Sequence, residues 1–105
     1  MATTPEGRVK AKVRKYLSEI GAWFFMPVSN GMGAHGIPDV VACYRGRFIG
    51  IECKAPGKRG NTSELQKRQL KAISDADGFS LVVDDVSQLV SFISESFGEP
   101  HADQT

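Results

Sequence analysis

Three charged side chains, Asp39, Glu52 and Lys54, stand in or beside two apolar runs in the stretch GIPDVVACYRGRFIGIECK, Gly36 to Lys54. Runs rich in Val, Ile and Phe read as buried strands, where an unpaired carboxylate is costly. Carboxylates and an ammonium gathered there imply a bound cation or a catalytic centre. Alternate side chains of a strand share a face, so Glu52 and Lys54 point one way and Cys53 the other. Arg45-Gly46 reads as the turn between the strands, although Arg is not a preferred turn residue. With the turn centred there, Tyr44 faces Arg47, Cys43 faces Phe48 and Asp39 faces Glu52. The two carboxylates then become cross-strand neighbours, their Cα atoms roughly 4.5–5.5 Å apart. A three-residue loop would shift the register by one and separate them.

Like charges directly opposite on a strand pair repel unless a positive charge lies between them. Hard oxygen ligands with room for water and a phosphate describe Mg²⁺ or Mn²⁺ better than zinc, for which no His or Cys stands at ligand spacing. Such a centre suits phosphodiester hydrolysis, with the cation activating a water and Lys54 orienting that water or neutralising the phosphate. The plain alternative is a solvent-edge hairpin in which Lys54 forms a salt bridge with Glu52 or Asp39.

Helical spacing of Val9, Val13, Tyr16, Leu17 and Ile20 predicts a first helix, started by Thr3-x-x-Glu6 or by Thr4 before Pro5. AWFFMPV (22–28) reads as a strand and SNGMGAHG (29–36) as a Gly-rich loop. The hairpin follows, then the basic loop APGKRGN (55–61). Ser63-x-x-Gln66 matches a capping box for a second helix that Gly78 ends. FSLVV (79–83) is a fourth strand, and Asp85-x-x-Gln88 caps a last helix closed by Gly98 and Pro100. This order predicts an α/β fold, αβββαβ(α), with a mixed β-sheet flanked by helices. A chain of 105 residues is long enough for one core and short for two. One domain over residues 1–98 is expected, with 99–105 a disordered tail.

No apolar run reaches the roughly 20 residues that span a bilayer, and the N-terminus lacks the apolar core of an export signal. A cytoplasmic or otherwise intracellular protein with no membrane partner is expected, its two cysteines, Cys43 and Cys53, reduced. Charge is divided unevenly. All 13 Lys and Arg lie in residues 1–71 against five acids, a balance of +8, whereas residues 72–105 carry seven acids and no Lys or Arg, a balance of −7. A basic part of this kind suits a polyanion, nucleic acid first. Arg8, Lys12, Arg45, Lys58 and Arg59 are the candidate phosphate contacts. His35 could touch a phosphate or act as a base, or simply face solvent; Asn30 could bond substrate or shape a turn.

Pro38-Asp39 followed by Glu52-Cys53-Lys54 resembles the signature of the PD-(D/E)xK nuclease superfamily. Within it, the chain from about Glu6 to Val83 is similar to the VRR-NUC (virus-type replication and repair nuclease) domain: Gly-x-Pro-Asp, a hairpin Gly, Glu-x-Lys, a basic Gly-containing loop, then Ser-x-x-Gln. The resemblance implies a restriction-endonuclease-like core and a Mg²⁺- or Mn²⁺-dependent endodeoxyribonuclease. It implies Asp39, Glu52 and the main-chain carbonyl of Cys53 as metal ligands and Lys54 as the catalytic lysine. Glu6 matches the family's N-terminal acid, near the metal or reaching it through water, and Gln66 its active-site Gln. Glu6 can equally serve a helix cap, and Gln66 its capping box. Short stand-alone members, of bacterial or phage origin, are implied to be homodimers that cleave branched DNA, Holliday junctions especially. Two other readings are a non-catalytic nucleic-acid-binding module on the same fold and a small structural protein.

Overall fold

Thr4 starts α1 (Pro5–Glu19): its hydroxyl accepts the Gly7 N–H at 2.9 Å, and Pro5 occupies the first turn, where a missing N–H is harmless. Val9, Val13 and Leu17 form its buried stripe. The computed structural model describes residues 4–28 and 35–100, so Asn30, most of the Gly-rich loop and residues 101–105 lie outside the described residues. β1 (Trp23–Phe25) is shorter than the expected 22–28 strand. It pairs only with Cys43, Ala42 and Val41, and Pro27 has no N–H to extend the ladder.

β2 (Val40–Tyr44) and β3 (Arg47–Cys53) form the expected hairpin. Arg45 and Gly46 both hold positive φ, 50° and 79°, as a two-residue turn matching the sheet twist requires. Gly tolerates that conformation freely; Arg45 adopts it with compensating contacts described below. The register runs from Tyr44↔Arg47 to Val40↔Ile51, so its continuation brings Asp39 beside Glu52.

After β3, a loop with one 3₁₀ turn at Arg59–Asn61 leads to α2 (Glu64–Asp75). Ser63 and Gln66 close the capping box: Ser63 Oγ accepts the Gln66 N–H at 3.1 Å and Gln66 Oε1 accepts the Ser63 N–H at 2.9 Å. α2 is the crossover that lets β4 (Phe79–Val83) lie parallel to β3, giving a mixed sheet in the order β1-β2-β3-β4. α3 (Val86–Phe97) is capped by Asp85, which accepts the Ser87 N–H at 2.9 Å. Gln88 bonds the backbone and side chain of Asp84 rather than boxing with Asp85.

Strand alternation divides the sheet into two unlike faces. Val40, Ala42, Ile49 and Ile51 are buried with Val13 and Leu17 of α1 and Leu89 and Ile93 of α3 in one apolar core. Glu52 and Gly50 point to the other side, where α2 packs. Among the described residues no helix is long and apolar enough to cross a membrane.

Candidate metal and phosphodiester site

The site forms where the open end of the hairpin meets the first turn of α2 and one flank of α1. Gly36 sets the approach: its φ is +80°, and a Cβ there would stand 2.5 Å from the Leu65 carbonyl and 2.8 Å from the Gln66 nitrogen. Only a glycine lets this segment lie against α2 and deliver Pro38-Asp39 to the end of β2. Asp39 Oδ2 then accepts the Cys53 N–H at 2.9 Å, which locks the acid onto the last residue of β3.

Glu52 is 2% exposed, the one buried charged residue among those described. Gln66 Nε2 donates to its Oε2 at 2.5 Å, and the Lys54 ammonium lies 3.4 Å from the same oxygen. Its other oxygen, Oε1, is buried with no hydrogen-bond partner. Burial first, then repulsion from Asp39, pushes the Glu52 pKa up to about 7, against the opposing pull of Lys54. Lys54 Nζ also donates to Gln66 Oε1 at 3.0 Å. The capping glutamine therefore has two tasks: it closes the start of α2 and fixes both Glu52 and Lys54.

Glu6 approaches Asp39 only through Lys10, whose ammonium stands 3.4 Å from Glu6 Oε2 and 3.6 Å from Asp39 Oδ1. Partial burial disfavours the Lys10 charge, yet the Asp39 and Glu6 carboxylates hold its pKa above the ordinary lysine value. Sequence reasoning missed Lys10. The available signal was its i,i+4 spacing from Glu6, which puts both on one helix flank. Among the described residues no three His, Cys, Asp or Glu side chains converge as a ligand group. The fit to a divalent cation rests on Asp39 and Glu52, two adjacent hard-oxygen donors, one of them with a buried oxygen lacking a partner. The Cys53 thiol is buried in the core, and burial, then Asp39, pushes its pKa up to about 12, so it stays protonated.

Of the candidate phosphate contacts, Arg8 and Lys12 border a cleft of about 100 Å³ with Pro56, Asp84, Asp85 and the start of α3. Lys58 and Arg59 lie on the adjoining loop, which Asp84 pins by accepting the Gly57 N–H at 2.8 Å and pairing with Arg59 Nε at 3.8 Å. Arg45 is elsewhere, at the turn end of the hairpin, roughly 20 Å from Asp39 at 3.3–3.4 Å per strand residue. There it donates to the Phe97 carbonyl at 2.6 Å and its guanidinium lies 5.2 Å from the Tyr44 ring centre. His35 is exposed; its carbonyl accepts from Gln69 Nε2 at 3.3 Å.

No family model and no curated protein matches the sequence. A solved structure titled "VRR_NUC domain" matches with a TM-score of 0.66 and 21% identity, over 90% of this chain and 99% of that one. At that identity the likeness establishes the fold. The mixed sheet, its helix order and this match together give the chain the restriction-endonuclease-like fold of a VRR-NUC domain.

Proposed function

We propose that this protein is a divalent-metal-dependent DNA endonuclease that hydrolyses phosphodiester bonds, with Asp39 and Glu52 as carboxylate ligands for Mg²⁺ or Mn²⁺. The supporting observation is Glu52: a buried carboxylate beside Asp39 with one oxygen unpartnered. A fold has little reason to bury such a group for stability alone, because an unsatisfied charged oxygen costs several kcal/mol. The Cys53 carbonyl is the proposed third ligand. A bound cation would supply acidification of a water and charge stabilisation at the phosphate.

The chain's own residues do the remaining work. Gln66 holds Lys54 and Glu52 in fixed relation, so the ammonium lies beside the carboxylates without a search through rotamers. Lys54 would orient the attacking water or neutralise a phosphate oxygen, a role that its three donors and compact charge permit. Lys10 balances Asp39 and Glu6. Arg8, Lys12, Lys58 and Arg59 would track the phosphate backbone, so binding should weaken steeply with salt.

Branched DNA, and four-way junctions in particular, is the proposed substrate class, cut by a homodimer. Resolving a four-way junction takes two symmetric cuts, and a two-fold assembly holds two sites in fixed relation. The test is cleavage of labelled duplex, flap and four-way-junction DNA in Mg²⁺ or Mn²⁺, wild type against Lys54→Ala. The expected result is junction cutting by wild type and none by the variant. Undiminished cutting by Lys54→Ala would remove that residue from the mechanism. Binding without cutting by wild type on every substrate would leave a nucleic-acid-binding module.

A further inference from the structure

The two lysines at the open end of the hairpin are held in different ways. Lys54 is 12% exposed, its ammonium fixed between Gln66 Oε1 at 3.0 Å and Glu52 Oε2 at 3.4 Å. Lys10 is 31% exposed and stands 3.4 Å from Glu6 Oε2 and 3.6 Å from Asp39 Oδ1. Both of its distances exceed the roughly 2.7–2.9 Å of a charge-assisted hydrogen bond. These are loose ion pairs, which a side chain with an accessible tip can leave at little cost in solvation. Its backbone cannot follow, because the neighbouring Val9 and Val13 are buried in the core. Any departure of Lys10 from Asp39 is therefore a change of rotamer on a fixed helix.

Asp39 shows why that departure matters. Its Oδ2 is committed to the Cys53 N–H at 2.9 Å, and the other oxygen, Oδ1, is the one that Lys10 faces. A carboxylate must be ionised to act as a metal ligand. With Glu6, Asp39 and Glu52 all ionised, the three acids outnumber the two lysines by one charge. A divalent cation added to these five groups would reverse the balance to one positive charge too many. Withdrawal of one ammonium restores neutrality, and repulsion between cations crowded on one carboxylate is strong where water is scarce. Lys10, more exposed and more loosely held than Lys54, is the one free to go.

We propose that Lys10 is a tethered counter-ion that competes with the divalent cation for Asp39 Oδ1 and so sets the metal concentration at which the site fills. The inference rests on the shared-cation reading of Asp39 and Glu52 and adds to it a residue that regulates loading. Lys10 keeps its charge throughout; it is its position that changes.

Mn²⁺ titrations of the protein without DNA, followed through the electron paramagnetic resonance signal of the free ion, test this. Lys10→Met and Lys10→Gln remove the charge with little change in length, and using both guards against a fold defect in one. Each should bind Mn²⁺ at least about 10-fold more tightly than wild type, within the usual range of coupling between two sites. Lys10→Arg, which keeps the charge, should stay within about three-fold of wild type. Lys15→Met removes the same charge from the same helix, at an exposed pair with Glu19, and should stay within about two-fold because solvent and salt screen it. Equal affinity in wild type and both neutral variants, or weaker binding by them, would overturn the proposal. So would an equal gain in Lys15→Met, which would make the effect one of net charge. In those cases Mn²⁺ binding that Glu52→Gln abolishes would leave the shared-cation reading standing. No Mn²⁺ binding by wild type or by either neutral variant would overturn that reading and this proposal together.

Discussion

The two ends of the β2–β3 hairpin carry similar charged residues put to opposite uses. At the turn end Arg45 and Arg47 donate to the carbonyls of Phe97 and Asp77, the last at 2.8 Å, and lie over the Tyr44 and Phe79 rings. Each cation there completes the structure, closing a helix end or a turn, and it does so at the surface. At the open end Asp39, Glu52, Lys10 and Lys54 are drawn together, partly or wholly buried, and one carboxylate oxygen is left without a partner. The lesson is that charge alone does not mark a site. Unused bonding capacity in a buried place does.

Neutralising one charge at each end should separate the two most strongly. Lys54→Ala or Glu52→Gln should lower cleavage by at least about 100-fold, the usual scale for losing a positioned charge or proton-transfer group. Arg45→Ala should leave cleavage within about two-fold. Equal losses in both would show that the two ends are not distinct in function.

Metal addition comes next in size. Mn²⁺ at about 100 times its Kd should stabilise wild type by roughly 2.7 kcal/mol, a rise in Tm on the order of 10 °C in a chain of this length. Glu52→Gln should abolish the rise, and Arg45→Ala should keep it. Lys10→Met should lower the metal-free Tm, because Asp39 loses its cation, and should enlarge the Mn²⁺ response.

pH sharpens the contrast further. Glu52 has a folded pKa of about 7 against an ordinary value of 4.5. A raised folded pKa means that its contribution to stability is fully present below 4.5 and is lost as pH climbs through 7. Metal-free wild type should therefore lose Tm across that window, and Glu52→Gln should flatten the loss. Asp84 has its pKa lowered chiefly by the Gly57 amide and Asp85 by the Ser87 side chain and then its amide, so their contributions vanish only as pH falls below the ordinary 3.8, outside the window. The smallest effect is structural: Arg45→Ala should cost about 1 kcal/mol for a helix-end cation and ring contact, a few degrees in Tm.

How much of this was legible in the chain depends on the range of the interactions. The pairing of Asp39 with Glu52 was readable because a two-residue turn admits one register, even with Arg45 in a conformation that suits Gly or Asn better. The Ser63–Gln66 box was readable for the same reason: it is closed within four residues. What Gln66 does with its remaining donor was not, since Glu52 is 14 positions away and only folding brings them together. Lys10 carried no local sign of its partner, because Asp39 is 29 positions on and only folding brings α1 past the end of β2. The bond from Arg45 to the carbonyl of Phe97 was not legible either, because the two stand 52 positions apart. The length of β1 was overestimated because apolar residues continue past Phe25, whereas the hydrogen bonds that define a strand stop with its partner.

The central claim is that the carboxylates of Asp39 and Glu52 share one divalent cation. Anomalous diffraction from a crystal of the protein soaked in Mn²⁺ tests it most directly. A shared cation gives a single strong peak between the two side chains, within coordination distance of Glu52 Oε1. A peak elsewhere, or an empty map at that position with the carboxylates turned apart, would contradict it.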